Sequence, residues 1–266
     1  MRIKIIQDCI DKIRHKKKIC LQDISIKTLI KRRNQLLFSL IDEKKLSYLE
    51  IGPLHCPQIN SNTFNCKYAD IYSKEELSEY YKDDQNVILD LIPNIDFIID
   101  PYNPSKGINE KFDCIIANHV IEHTHNPIKY MQSLFNLLNN GGYLFMAIPS
   151  KESTFDNRRE LTTTEHLIED FLNENDNERF SHIYEFNKYV KYCHLPLKEI
   201  YNKTQNEVYS QNKYSHIHYH VFNLNSFENF IKETQQIGLL KNIKIKYIGK
   251  PFNDIYEFYV LLEKIC

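Results

Sequence analysis

Glycine is scarce in this chain, six residues in 266, and tryptophan is absent. Where a dinucleotide-binding fingerprint wants further glycines after Gly52, the chain has Leu54 and Cys56. That absence disfavours a nicotinamide-dependent oxidoreductase, whose pyrophosphate needs close backbone approach. No C-x-x-C pair occurs, and the seven cysteines, at 9, 20, 56, 66, 114, 193 and 266, are odd in number. This excludes a zinc knuckle or a disulfide framework and reads as reduced thiols in a cytoplasm. No apolar run is long enough to span a bilayer. The start, Met1 to Ile6, meets Gln7 and Asp8 too early to form the apolar core of a signal peptide. Nor is there charge of one sign in excess: the formal net charge is −1, which gives no global pull toward nucleic acid or anionic membrane.

What is present is a chain that can bury a full core, 42% hydrophobic and long enough for one α/β domain with an insertion. Heavy use of Lys, Asn, Ile and Tyr suggests an AT-rich bacterial genome. The most informative stretch is Leu46-Ser47-Tyr48-Leu49-Glu50-Ile51-Gly52-Pro53, answered eighteen residues after Gly52 by Asp70. An apolar run, an acid, a glycine turn and a second acid after another short segment form the pattern of a nucleotide-binding βαβ unit. The second acid ends a strand, where it can accept hydrogen bonds from both hydroxyls of a ribose. With the phosphate-cradling glycines missing, the pattern fits a ribose ligand without phosphates, of which S-adenosylmethionine (SAM) is the commonest.

Four segments follow from composition and periodicity. Residues 1–45 read as helices, strongly basic over their first thirty-three positions with Lys16-Lys17-Lys18 and Lys31-Arg32-Arg33. They are either a solvated cover over a sheet edge or a docking face for an anionic partner or glycan precursor. Residues 46–149 alternate strands, at 47–51, 67–70, 95–99, 112–117 and 142–148, with helices, which predicts a mostly parallel sheet with right-handed crossovers. Asn139-Asn140-Gly141-Gly142 reads as a turn ending a helix and launching a strand. Residues 150–222 are polar and helical in pattern, with a helix start at Thr162-Thr163-Thr164-Glu165, and are too long for a loop, so an inserted cap is expected. Residues 223–266 resume with a helix over 225–237, capped by Asn225 or Ser226, and then two apolar runs, 243–248 and 256–262, that predict an antiparallel edge hairpin.

A second block, Lys111-Phe112-Asp113-Cys114-Ile115-Ile116-Ala117-Asn118-His119-Val120-Ile121-Glu122-His123, is a strand with a polar cluster at its C-terminal end, where ligands bind in open α/β sheets. Together with Glu50-Ile51-Gly52-Pro53 and Gly141-Gly142-Tyr143-Leu144-Phe145-Met146-Ala147-Ile148-Pro149, it resembles a class I SAM-dependent methyltransferase in order and spacing. The resemblance implies a Rossmann-like seven-stranded sheet, SAM as cofactor and S-adenosylhomocysteine (SAH) as product. Within the insertion, Phe155-Asp156-x-x-Arg159-x-Leu161-Thr162-x-x-x-His166-Leu167-x-x-Asp170 and His218-x-His220-Val221-Phe222 are similar to methyltransferases of bacterial capsule and surface-polysaccharide loci. That narrower likeness implies a small acceptor: a sugar, a nucleotide-sugar or a phosphorylated capsule precursor. Nucleic-acid methylation is disfavoured by the balanced charge and the lack of an Asn/Asp-Pro-Pro-Tyr/Phe motif.

Resemblance and chemistry together assign roles. Glu50, Gly52 and Pro53 bound the methionine end of the cofactor, Asp70 holds the ribose diol, Asp100 sits near the adenine amino group, and Asn118 and His119 lie beneath the sulfonium. For Glu50 the alternative is an inner acid holding loops together; for Asp100, Asp96 competes. Proton removal falls to a histidine among His119, His123, His218 and His220. The first pair is expected to share one helix face, while His216, His218 and His220 alternate and would point to one side of an extended segment. A divalent metal on these histidines, hydrogen bonds from them to an anionic acceptor, and a polar cap interior of satisfied histidines are the alternatives; metal is weakened because no acidic ligand pattern accompanies the triplet, and no metal ligand is assigned. Arg159, His166 and His216 are assigned to the acceptor, since a guanidinium forks onto phosphate or carboxylate oxygens; ion pairing of Arg158, Arg159 and His166 with Glu160 and Glu165 is the alternative. The reading is a cytoplasmic O-methyltransferase acting on a sugar or similar precursor. Its rivals are methylation of a phosphate or phosphoramidate oxygen and a non-catalytic SAM-binding partner subunit. Oligomeric state is not legible.

Overall fold

The computed structural model describes residues 26–42, 46–173, 176–210, 217–253 and 256–265. Cys9, Cys20, His216, Cys266 and most of the basic N-terminal segment lie outside the described residues. After a first helix, α1 (Ile26–Leu40), the chain alternates β1 (Ser47–Ile51), β2 (Asn65–Asp70), α2 (Lys74–Tyr80), β3 (Phe97–Ile98), β4 (Phe112–Ala117), α3 (Pro127–Leu137) and β5 (Leu138–Pro149). Helices α4 (Thr164–Leu172), α5 (Asp176–Phe186) and α6 (Leu197–Ser210) follow, and α7 (Leu224–Gln236), β6 (Ile243–Gly249) and β7 (Glu257–Lys264) close the chain.

The strands form one seven-stranded sheet in the order β3-β2-β1-β4-β5-β7-β6. β1 to β5 are mutually parallel, and β7 runs antiparallel to both β5 and β6. This is the Rossmann-like sheet with an antiparallel edge hairpin. Strand order reverses between β1 and β4, which is where an open α/β sheet offers its binding crevice.

Alternation along the strands feeds two cores. Leu49, Ile51, Ile115, Ala117, Leu144 and Met146 face α3 and α7, whose Ile128, Met131, Phe227 and Phe230 pack on them. Tyr48, Cys114, Ile116, Phe145 and Ala147 face the other side, against Leu36 and Leu37 of α1. A small third cluster, Ile183, Val208 and Tyr219, belongs to the 150–222 segment. By the same period-two rule Glu50 shares the side of Tyr48 and points toward α1.

Three local expectations need correction. Asn139 to Gly142 do not end a helix and start a strand. α3 stops at Leu137, β5 begins at Leu138, and the four residues bulge within the strand, so that Phe112 pairs with Leu138 but Cys114 with Tyr143. Gly141 sits at φ +77, and a Cβ on Gly142 would meet the Asn139 and Asp113 carbonyls at 2.9 and 3.1 Å. α7 is capped by Asn223, not Asn225 or Ser226: the Asn223 side chain accepts from Ser226 N–H, and the Ser226 hydroxyl accepts from Asn223 N–H. β3 is only two residues long, and beside it Asp96 accepts from Tyr68 N–H through its side chain and donates its own N–H to Tyr68 O, each at 2.8 Å. Thr163 caps α4 as its sequence predicts. Among the described residues, no helix is long and apolar enough to cross a membrane.

Candidate active site

A cavity of about 590 Å³ opens at the C-terminal ends of β1, β2 and β4, large enough for a nucleoside-sized ligand. The turn after β1 forms one wall. Gly52 adopts φ +64 and donates its N–H to Ala69 O at 2.8 Å. Leu54, where the dinucleotide fingerprint wants glycine, is held at φ 44. The left-handed backbone that a glycine would supply is therefore kept by a leucine, a strained arrangement of the kind concentrated at ligand sites. Pro53 also lines the cavity.

Glu50 lines the cavity but is committed to the loop. Its two oxygens accept from Gln58 N–H at 2.7 Å and Ile59 N–H at 3.0 Å, the loop-holding alternative. Burial pushes its carboxyl up to about 7 despite those bonds. Asp70 ends β2 in the cavity, where burial pushes it up to about 6 against the backbone N–H groups of Ile71 and of Tyr72, the latter at 3.4 Å. A carboxylate so placed calls for donors, and the two hydroxyls of a ribose would supply them. Asp100 does not take the expected place. Its Oδ1 accepts from Tyr102 N–H at 2.9 Å and Oδ2 stands 3.8 Å from Lys106 Nζ; its neighbours Ile99 and Pro101 line the cavity instead.

At the end of β4, Asn118 is locked in place: its Oδ1 accepts from Ala147 N–H at 2.9 Å and its Nδ2 donates to Gln58 Oε1 at 2.7 Å. His119 follows with φ 53, a second left-handed residue on the cavity wall. Its Nε2 lies 2.7 Å from Glu257 Oε2, and Arg33 donates to the same carboxylate through Nε at 2.9 Å and Nη2 at 2.6 Å. Burial pushes Glu257 up, but the His119 and Arg33 hydrogen bonds and the Arg33 charge outweigh it and hold the carboxyl far below its usual range. Sequence reasoning missed this chain. Arg33 was grouped with a solvated or docking basic face, yet it is buried and lines the cavity. The available signal was its position on the apolar side of α1, three and four residues before Leu36 and Leu37.

His119 and His123 do reach the same cavity, although through a 3-10 turn, Ile121–His123, and not along an α-helical face. Between them Glu122 is buried, and neither of its oxygens finds a hydrogen-bond partner. Burial pushes its carboxyl up to about 7, against the pull of His218. Glu122 Oε1 stands 3.6 Å from His119 Nδ1 and 3.9 Å from His123 Nε2. His123 Nδ1 lies 2.9 Å from the Ile217 carbonyl, which can only accept, so Nδ1 donates there. Behind His123, His218 makes an edge contact at 4.7 Å between ring centroids, with its Nδ1 2.5 Å from Asp156 Oδ2.

The alternation of His218 and His220 separates them instead of aligning them, because the segment is not a regular strand. His220 is fully buried and joins His166, Asp170 and His182, away from the cavity lining. Burial and the neighbouring His182 drive its pKa well below the usual histidine value. It is therefore not a candidate base. Arg159 is not an acceptor ligand either: it has no exposed surface and donates to Asp156, Glu185 and the carbonyls of His218 and Tyr219. His166 stays with its own helix, α4, 3.5 Å from Asp170 and 4.0 Å from Glu169. Among the described residues, two groups have the spacing to hold a metal ion, Glu122–His123–His218 and His166–Asp170–His182–His220.

A methyltransferase domain family matches residues 25–235. No curated protein matches the sequence. Among solved structures, the plantazolicin methyltransferase BpumL in complex with SAH is similar, at 14% identity and a TM-score of 0.48, over 98% of this chain and 94% of that one. A SAM-dependent methyltransferase from Clostridium acetobutylicum ATCC 824 aligns at 12% identity and a TM-score of 0.46, over 97% and 100% of the two chains. The PH0226 protein from Pyrococcus horikoshii OT3 aligns at 14% identity and a TM-score of 0.48, over 91% and 92%.

Proposed function

The chain belongs to the methyltransferase domain family, and we propose that it transfers a methyl group from SAM to a hydroxyl of a sugar or other small precursor of a bacterial surface polysaccharide. The observation that carries the reading is one cavity lined by both Asp70, a carboxylate that burial pushes up to about 6, and His123, an imidazole oriented by the 2.9 Å contact of its Nδ1 with the Ile217 carbonyl. The residues fit the cofactor. Asp70 accepts from the ribose hydroxyls. The left-handed Gly52–Leu54 turn brings backbone close to the methionine end. Ile71, Ile99 and Pro101 provide an apolar seat for the base. Bound SAM supplies a methyl on a sulfonium, which departs as a neutral thioether, so no acid is needed at the leaving group.

The rest is the work of the chain. Holding the acceptor oxygen in line with the methyl supplies most of the rate. As the new O–C bond forms, His123 Nε2 takes the hydroxyl proton. Glu122, 3.9 Å away, balances the imidazolium that results. Asp156 and His218 brace the His123 ring from behind. The 150–222 segment, which contributes His218 and the Ile217 carbonyl, acts as the acceptor-side cap; its likeness to surface-polysaccharide methyltransferases is the support for a sugar acceptor. A phosphate-type acceptor is less favoured, since Arg159, its expected ligand, is consumed by internal bonds. The test is binding and turnover together. SAH should raise the melting temperature while NAD does not, and labelled methyl from SAM should pass to a member of a nucleotide-sugar panel. A folded sample that binds neither SAM nor SAH overturns the reading.

A further inference from the structure

Four side chains at the far side of the 150–222 segment form a set that neither the family nor the proposed reaction uses. His166 and Asp170 lie four apart on one face of α4, His182 comes from α5, and His220 from the stretch entering α7. One ligand atom from each falls within 4.8 Å of the others. Asp170 is at the centre. His182 Nε2 stands 3.4 Å from its Oδ1, while His166 Nε2 and His220 Nε2 stand 3.5 and 3.6 Å from its Oδ2. The rings converge, with centroids 5.0 Å apart for His166–His182 and 4.9 Å for His182–His220.

These distances decide between two states of the cluster. Imidazoles that simply hydrogen-bond a carboxylate close to about 2.7–2.9 Å. Here all three stand 3.4–3.6 Å from it, the buried Asp170 Oδ2 has no hydrogen-bond partner among the described residues, and His220 Nε2 rests instead 3.3 Å from the His125 carbonyl, a contact that metal binding would replace. A tetrahedral zinc ion with bonds of about 2.0–2.1 Å sets its ligand atoms about 3.3–3.4 Å apart; the three histidine–Asp170 distances are near this and the whole set lies within 4.8 Å, so the ligands would draw in slightly around an ion. Asp170, His182 and His220 are buried. We propose that His166, Asp170, His182 and His220 bind a divalent transition-metal ion, zinc by the donor set, in a closed four-ligand site.

Such a site has no open position for substrate and acts as a structural clamp. It ties α4 and α5 to the segment whose Tyr219 and His220 N–H groups donate to the Glu122 carbonyl at 2.8 and 3.2 Å. The ion therefore fixes the cap against the turn that carries Glu122 and His123. The acid needed by the alternating histidines comes from a helix some fifty residues earlier, which is why their local pattern did not reveal it.

The experiment is metal analysis of the full chain, purified, exposed to zinc and dialysed, with cobalt substitution as a second readout. Expected are about one ion per chain, the strong visible absorption of tetrahedral cobalt, and a lower melting temperature after chelation. His182→Ala and Asp170→Asn should bring the metal content to background. Where those variants do not fold, His166→Ala, at the partly exposed ligand, should lose the ion to a chromophoric chelator at least about tenfold more readily. His218→Asn, in the other histidine group, should leave the content unchanged. A folded wild type that holds no zinc or cobalt overturns the proposal, as does an ion that survives His166→Ala and is lost with His218→Asn.

Discussion

His119 Nε2 lies 2.7 Å from Glu257 Oε2, so the second residue after β4 is fixed by the first residue of β7, 138 positions later. Arg33 completes the group from α1. Glu257→Gln would leave Arg33 buried without its counter-charge, a change that costs about 3–5 kcal/mol. Denaturant unfolding should show that loss, and Arg33→Met in the same chain should recover part of it. The pH dependence has a definite sign. Glu257 is held below its ordinary value of 4.5, so its contribution is present above that pH and fades as pH falls below it. An acid-unfolding midpoint unchanged between wild type and Glu257→Gln/Arg33→Met would contradict this role.

Asp70 should govern cofactor binding. Loss of two charge-assisted hydrogen bonds to a ribose should cost about 2–4 kcal/mol, so Asp70→Ala should weaken SAH binding by roughly 30- to 1,000-fold in calorimetry. In the ligand-free chain its carboxyl is raised to about 6, and hydroxyl donors prefer the ionised form. Wild-type affinity should therefore rise between pH 5 and 7, whereas Asp70→Asn should show a flat profile. Equal affinities for wild type and Asp70→Ala would remove Asp70 from the site.

How much of this was legible beforehand follows the range of the interactions involved. β1, its glycine turn and Asp70 were readable because a buried parallel strand and the acid ending its neighbour are local patterns. So were β4 with Asn118 and His119, and the α4 start at Thr163. Arg159 was not, since its burial depends on Glu185 and two carbonyls near residue 218. Glu257 escaped notice for the same reason: only the fold brings it to His119 and Arg33. The bulge at Asn139–Gly142 has turn composition and lies inside a strand, because Asn139 Nδ2 donates to Asp113 Oδ1 at 2.7 Å and ties the excursion to β4.

Glu122 makes the folded state sensitive to alkali. Its carboxyl rises from 4.5 to about 7 on folding, equivalent to a stabilising term on the order of 3 kcal/mol. The sign follows from the raised value: the term is full below about pH 4.5 and is lost as pH climbs through 7. Glu122→Gln, which cannot ionise, should be more stable than wild type at pH 8, with the advantage vanishing near pH 5. Melting curves at the two pH values decide it; a constant difference across that range would mean that Glu122 does not titrate there.

The catalytic assignment rests on His123. Its Nδ1 donates to the Ile217 carbonyl, and Nε2 is the atom proposed to take the proton. His123→Asn keeps a donor for that carbonyl but removes the base, and should lower kcat by about 10²–10⁴-fold with SAH affinity largely retained. The rate should fall on the acid side as the wild-type imidazole becomes charged, and that limb should disappear in the variant. His220→Asn is the contrast: buried outside the cavity, it should act on melting temperature and leave the acid limb in place. If His123→Asn retains full activity with an unchanged pH profile, proton removal does not pass through this ring, and positioning of the acceptor is the whole of the chain's contribution.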